Sequence, residues 1–500
     1  MFLLLALLLS TPALFAHDIT ISGTQTFASL DGSSSDHDGT ANGVFTVSDG
    51  NLVVNGTVNC NDEGVNSNSG CPMAFAVSGN LTINSGGALY AENRTAGGNG
   101  GAITLTVGGN LALNGTAIVS AASTSGNGTN GGAISITVTG TVTLASGTTI
   151  DAGSANATGG NITIAAGGTV TVDGNVYSGP SRTLLSTRLT GAALDGGKNN
   201  QIGGAISISS TTYVESGVVI SANANVISQG DQSGTGGVTI NGCGVEVRGL
   251  VAALSLKESA AKVTIRSGKS LLVDSRDLGA SGTRMGRVRA DAPTGSAITK
   301  GVDLFAREDI QILGASTSGS LFAVSSIAGS SKSDGGLIRV LSTDDAITAS
   351  AKAIDVGNTL AGDQGGTVEL SAKGDVNLNT AVIDASGDYS SNNSSRAGGS
   401  ITARSYSEDV IWTSGSGDVR PVGSTSGIAL ADQGTIVLTA CGTVDTTGSS
   451  FPVNGTATSV FPETHTGTCS PAAPSLPSGV SALLTCNTPP VANDLTPSTN

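Results

Sequence analysis

Residues Met73–Asn84 read M-A-F-A-V-S-G-N-L-T-I-N, and the same phrase returns three times. Ile103–Asn114 reads I-T-L-T-V-G-G-N-L-A-L-N, Ile134–Ala145 reads I-S-I-T-V-T-G-T-V-T-L-A, and Ile162–Asp173 reads I-T-I-A-A-G-G-T-V-T-V-D. The starts are 30, 31 and 28 residues apart. A fixed period of this size is the mark of a repeat architecture and has to be read first. Inside each copy apolar and small polar residues alternate: Ile103, Leu105 and Val107 against Thr104 and Thr106. Period two means a half-buried strand. A glycine follows, then a second alternating run, and three of the copies close on a third: Leu89–Ala91, Val119–Ala121 and Ile150–Ala152. Gly, Asn and Ser fill the corners, where the chain turns sharply. Three short strands cannot bury an apolar face alone, but stacking each unit on the next about 4.8 Å away does so. The expected fold is all-β: a single-stranded parallel β-helix, right-handed as most parallel crossovers are, with three strands in each coil of about 30 residues.

Two asparagine columns share this period. Asn51, Asn80 and Asn110 occupy one coil position, and Asn55, Asn84 and Asn114 another. Stacked amides can hydrogen-bond along the axis as a ladder.

Working outward, residues 1–16 (MFLLLALLLSTPALFA) read as a secretory signal peptide with cleavage after Ala16, although no Lys or Arg precedes the apolar run. Residues 17–42 are expected to form an N-terminal cap, because an open first coil exposes unpaired backbone groups. The β-helix is expected over 43–450. Coils resume after residue 201 at Ile206, Val238, Val263 and Val288; the register blurs over 290–335 and recovers at Ile338, Val368, Ile401 and Ile436. Residues 178–201 form an insertion, since Ile162 and Ile206 are 44 residues apart. It carries Arg182, Arg188 and Lys198, and a long loop on a solenoid is a natural docking site. About a dozen coils give a rod on the order of 60 Å long. Past residue 450 the chain is read as a Pro-rich cap and linker, with eight of the 13 prolines between Pro452 and Pro497.

Charged residues are only 12% of the chain and aromatics 3%. Net charge is −15. Residues 1–181 hold Arg94 alone against ten acidic residues, whereas residues 248–307 hold eleven basic and five acidic ones. The acidic balance argues against nucleic acid and for an extracellular setting. No apolar run is long enough to span a bilayer as a helix.

Six cysteines in an exported chain imply disulfides. Cys60–Cys71 would close a short polar loop, and Cys469–Cys486 is the corresponding pair in the tail, with Cys441–Cys469 as its competitor. Cys243 and Cys441 share a coil site about six coils apart, too far to join each other.

The histidines, His17, His37 and His465, all lie outside the regular coils, so no Ser-His-Asp constellation is in view. Adjacent acids occur at Glu308-Asp309, Asp344-Asp345 and Glu408-Asp409, but the G-H-G segment of pectin-degrading β-helix hydrolases is absent. Asp31, Asp36 and Asp38 cluster in D-G-S-S-S-D-H-D-G, which can hold a calcium ion or simply be hydrated. Asp151, Asp355 and Asp384 each follow an Ile and read as turn residues bonding local backbone. The outward threonines, Thr104/Thr106 and Thr137/Thr139, are ordinary strand formers. In the basic segment, Val263 and Val288 are taken as equivalent inward positions. Lys262 is then expected to stack on Arg287 and Thr264 on Arg289, with Arg266 beside them. These cations would make a face for an acidic polysaccharide or another anionic surface.

The recurrent G-G-x-I-x-I, G-x-V-x-L and G-x-x-I-D-A phrases resemble the repeat shaft of filamentous-haemagglutinin-like bacterial surface adhesins, over about residues 43–445. The tail P-P-V-A-N-D-L, Pro489–Leu495, resembles the opening of bacterial cadherin-like and Ig-like surface repeats, with Leu495 where those carry Asp. The resemblance implies a secreted or surface-attached, structural and adhesive protein without catalysis. Its partners would be a surface glycan or a neighbouring cell, with further surface domains beyond. The alternative is a lyase-like β-helix enzyme acting on an acidic glycan. The scarcity of aromatic platforms for sugar rings, with Trp412 the one tryptophan, weighs against it.

Overall fold

A computed structural model describes residues 18–26, 44–60, 70–93, 98–123, 129–154, 157–179, 202–210, 217–230, 236–255, 262–276, 287–291, 301–315, 322–326, 335–357, 365–388, 398–418, 421–422, 434–450, 460–464 and 476. The described residues form a parallel β-helix. Three long sheets run its length: sheet A of 14 strands, sheet B of 13 and sheet C of 14, and every pairing in them is parallel. The chain visits A, B and C in turn, so each strand's neighbour in its sheet belongs to the coil before or after. Fourteen rungs at about 4.8 Å span roughly 60 Å.

The four repeated phrases stack in the expected register. Met73, Ile103, Ile134 and Ile162 are successive partners in sheet C. The column continues through Ile206, Val238, Val263, Val302, Ile338, Val368, Ile401 and Ile436. All of these side chains are buried, in one core cluster that runs from Ile21 to Ala440. Alternation is plain on strand Ile103–Val107, where Thr104 and Thr106 face solvent between buried Ile103, Leu105 and Val107. The A-to-B corner is a two-residue turn closed by a glycine at positive φ, as at Gly86 (82°) and Gly147 (87°). At the B-to-C corner coils approach so closely that a Cβ on Gly132 would lie 2.1 Å from the Gly101 carbonyl oxygen.

Val288 is a correction. It belongs to sheet B, where Val251 and Val324 are its partners, and Val302 takes the sheet C rung after Val263. The cause is visible in strand Gly301–Ala306, which is buried along its whole length, on both faces of the sheet. A strand covered on both sides loses its two-residue period, so the sequence blurs there although the fold does not. Regular pairing also begins earlier and ends later than the sequence pattern marks. Strands Ile19–Ile21 and Thr24–Thr26 already pair with Leu52–Val54 and Thr57–Asn59, and strand Val460–Thr464 pairs with Thr435–Ala440.

Both asparagine columns form ladders of different kinds. In the first, each side-chain oxygen accepts from the backbone N–H of the next rung: Asn51 from Asn80 (2.7 Å), Asn80 from Asn110 (2.8 Å), Asn110 from Thr141 (2.8 Å). In the second the amides bond to one another, Asn84 donating to Asn55 (2.7 Å) and Asn114 to Asn84 (3.1 Å). Asn84→Ala removes both bonds of that rung. At about 0.5–1.5 kcal/mol per bond, and with water able to replace part of each at this half-exposed site, a loss of about 1 kcal/mol is expected. A urea midpoint unchanged from the parent would refute the ladder's contribution.

Cys60 and Cys71 form the expected disulfide, their Cα atoms 5.4 Å apart. The I-D turns also behave as read. Asp151, Asp355 and Asp384 each accept from the backbone N–H two residues on, of Gly153 (2.8 Å), Gly357 (2.9 Å) and Ser386 (2.9 Å). No helix among the described residues is long and apolar enough to cross a membrane.

Candidate functional site

The basic segment does not make one face. Strand Lys262–Ser267 lies in sheet C and strand Arg287–Asp291 in sheet B, so Lys262 is opposite Gly301 while Arg287 is opposite Leu250. Arg289 pairs with Ala252, not with Thr264. The expected stacking of like charges is therefore absent. Sheet C carries a different charge arrangement on its outer side. Asp303, only 1% exposed, is gripped by Lys262 from one rung and by Arg339 from the next. The Arg339 contact is two-pronged, with Nε and one terminal nitrogen each 2.9 Å from separate carboxylate oxygens. Arg266, on the Lys262 strand, faces the backbone position of Phe305, and its buried Nε has no hydrogen-bond partner among the described residues. Elsewhere in the segment Arg276 binds Asp274 through two nitrogens, each at 3.0 Å, and holds that carboxyl below its ordinary range. Arg248 pairs with Glu246. The net of +6 over residues 248–307 already counts Asp274 and Asp303, so of these contacts only the one to Glu246, outside that segment, offsets it.

The acidic pairs, which the sequence scatters, do come together. Glu308-Asp309, Asp344-Asp345 and Glu408-Asp409 all fall at the C-to-A corner on nearby rungs, with Asp375 between the last two. The Asp375 carboxylate accepts from the Asp409 N–H (3.0 Å), and the Asp409 carboxylate from that of Thr443. The Asp375 charge beside Glu408 pushes the Glu408 carboxyl up. Arg307 lies 3.8 Å from Asp344 as a partial counterweight. Nevertheless, no three His, Cys, Asp or Glu side chains converge as a metal site among the described residues. The corner is an anionic strip, in which Asp345, Asp375 and Asp409 accept from backbone amides.

A shallow cleft of 260 Å³ opens beside this strip on the outer side of sheet A, lined by Glu246, Leu272, Asp309 and Gln311 among others. Gln311 donates to Asp309 at 2.8 Å. Two carboxylates and a carboxamide can meet hydroxyls or a cation, and they repel an anionic sugar. Trp412 offers no platform at all: it is fully buried in the core, its indole N–H bonded to the Ala381 carbonyl at 3.2 Å.

Length variation has a single principal address. The C-to-A and A-to-B connections are mostly short, whereas the B-to-C connections range from Ser255 to Lys262 up to Ser178 to Ile206. The insertion with Arg182, Arg188 and Lys198 leaves from this corner, but those residues lie outside the described ones, as do Asp31, Asp36, Asp38, Cys469 and Cys486. No family model, no curated protein and no solved structure matches the chain.

Proposed function

We propose that the chain is a secreted or cell-surface structural and adhesive rod that performs no catalysis and presents its outer faces to a glycan or a neighbouring surface. The observation that supports this best is the unbroken twelve-rung column from Met73 to Ile436, within one continuous core that runs from Ile21 to Ala440. A body whose sheets share a single core transmits position from end to end, as a shaft must. Variable loops on one corner and short Thr, Ser and Asn side chains on the strand exteriors suit contact with a surface.

The alternative, a lyase-like enzyme on an acidic glycan, needs a free base beside a cationic subsite. Lys262 is instead bound to Asp303, and the sheet A cleft is anionic. The test is a panel of acidic and neutral glycans, with binding and chain cleavage scored in the same samples. Binding without new chain ends is the expected result; cleavage of any member would overturn the structural reading and establish the enzyme.

A further inference from the structure

Cys243 and Cys441 are both held in disulfides. They cannot be held by each other. Cys243 follows Gly242, and Cys441 follows Ala440. The rung partners from Gly242 run Ser267, Ala306, Ser342, Ala372, Ser405 and then the strand of Ala440. Six rungs are about 29 Å, against a Cα separation of at most about 7 Å in a disulfide. Cys60 and Cys71 are joined to one another. The sequence contains two further cysteines, Cys469 and Cys486.

Geometry then orders the pairs. Thr464 is the rung partner of Ala440 and so stands one rung beyond it, seven rungs or about 34 Å from the level of Cys243. Cys469 is five residues past Thr464, and five fully extended residues reach at most about 18 Å. Adding the disulfide's own span still leaves Cys469 roughly 9 Å short of Cys243. We infer that Cys243 is bonded to Cys486 and Cys441 to Cys469, so that the C-terminal segment turns back along the rod and is bolted to it at two points six rungs apart.

An independent contact lies between those points. Leu476, which falls between Cys469 and Cys486 in sequence, packs on Phe305 and Leu341. Both are outward positions of sheet C, yet Phe305 is fully buried and Leu341 nearly so. Their strands, Gly301–Ala306 and Leu337–Ser342, are two and three rungs from the Cys243 end. Each bond forms by loss of two protons and two electrons from a thiol pair to a disulfide-exchange catalyst or a small-molecule disulfide, which is reduced to its dithiol or thiols.

The test is proteolysis and mass spectrometry of the full-length chain without reduction. Linked peptides Cys243–Cys486 and Cys441–Cys469 are expected. A Cys469–Cys486 peptide, a Cys243–Cys469 peptide or a free thiol at Cys243 would overturn the inference. As a second measurement, Cys486→Ser should release one thiol, alkylated after denaturation at Cys243. Alkylation at Cys469 instead would also overturn it.

Discussion

Replacing Trp412 with alanine is expected to destabilise the C-terminal rungs by about 4 kcal/mol, within the range for emptying a buried aromatic site. The cause is a pairing of large and small residues. The inward column of sheet B is aliphatic through Val288, Val324, Ile354 and Ile383, and then reaches Gly417. The indole fills the space that Gly417 leaves: a Cβ there would lie 2.6 Å from the ring's Cη2 atom. Gly415 is equally necessary, since its Cβ would meet the indole nitrogen at 2.4 Å. Trp412→Ala also leaves the Ala381 carbonyl without its indole partner. Urea unfolding followed by circular dichroism should show the loss as an early transition, because a solenoid can fail locally. Gly417→Val added to Trp412→Ala should recover part of it by refilling the column. Additive losses in the double variant would show that the two residues do not share the space.

Asp303→Ala is expected to cost about 3 kcal/mol, at the lower end for breaking a buried ion pair. Arg339 is 22% exposed and would lose its buried, two-pronged counterion; Lys262, at 43%, can turn to water, which limits the cost. Replacing Asp303, Lys262 and Arg339 together by apolar residues of similar volume should cost far less than Asp303→Ala alone, since no uncompensated charge remains. Thermal midpoints of the parent and the two variants decide it. A triple variant worse than Asp303→Ala would mean that the cluster adds net stability.

These sites show where the sequence was legible and where it was not. Coils with one face in water announce themselves, because Thr104 and Thr106 must differ from Ile103 and Leu105. Strand Gly301–Ala306 does not, since Asp303 and Phe305 are buried on the outside as well. The false equivalence of Val263 and Val288 follows from that one silent strand. Had Val302 been placed, the basic face would have dissolved at once. The acidic corner was hidden for another reason. Glu308-Asp309, Asp344-Asp345 and Glu408-Asp409 fall on nearby rungs, but unequal coil lengths keep any constant spacing from marking them. The burial of Trp412 was not legible either: the space it fills is left by Gly417 in the same coil, and nothing in the sequence marks that glycine as facing the core. The cysteines needed both levels, composition for the number of partners and rung distances for the pairing.

The orientation of the ladder hydrogen bonds has a mechanical consequence. In each sheet they lie along the rod axis, coil to coil, so a pull on the two ends bears on them directly. With Cys243 bonded to Cys486, a pull on the two ends passes from one to the other and spares the coils between them; the coils before Cys243 resist as one body until an end coil lets go, and a freed coil of about 30 residues then pays out roughly 100 Å of chain in place of a 4.8 Å rung. Tension on those coils is thus converted into length in discrete steps, as by a brake that slips coil by coil and does not snap.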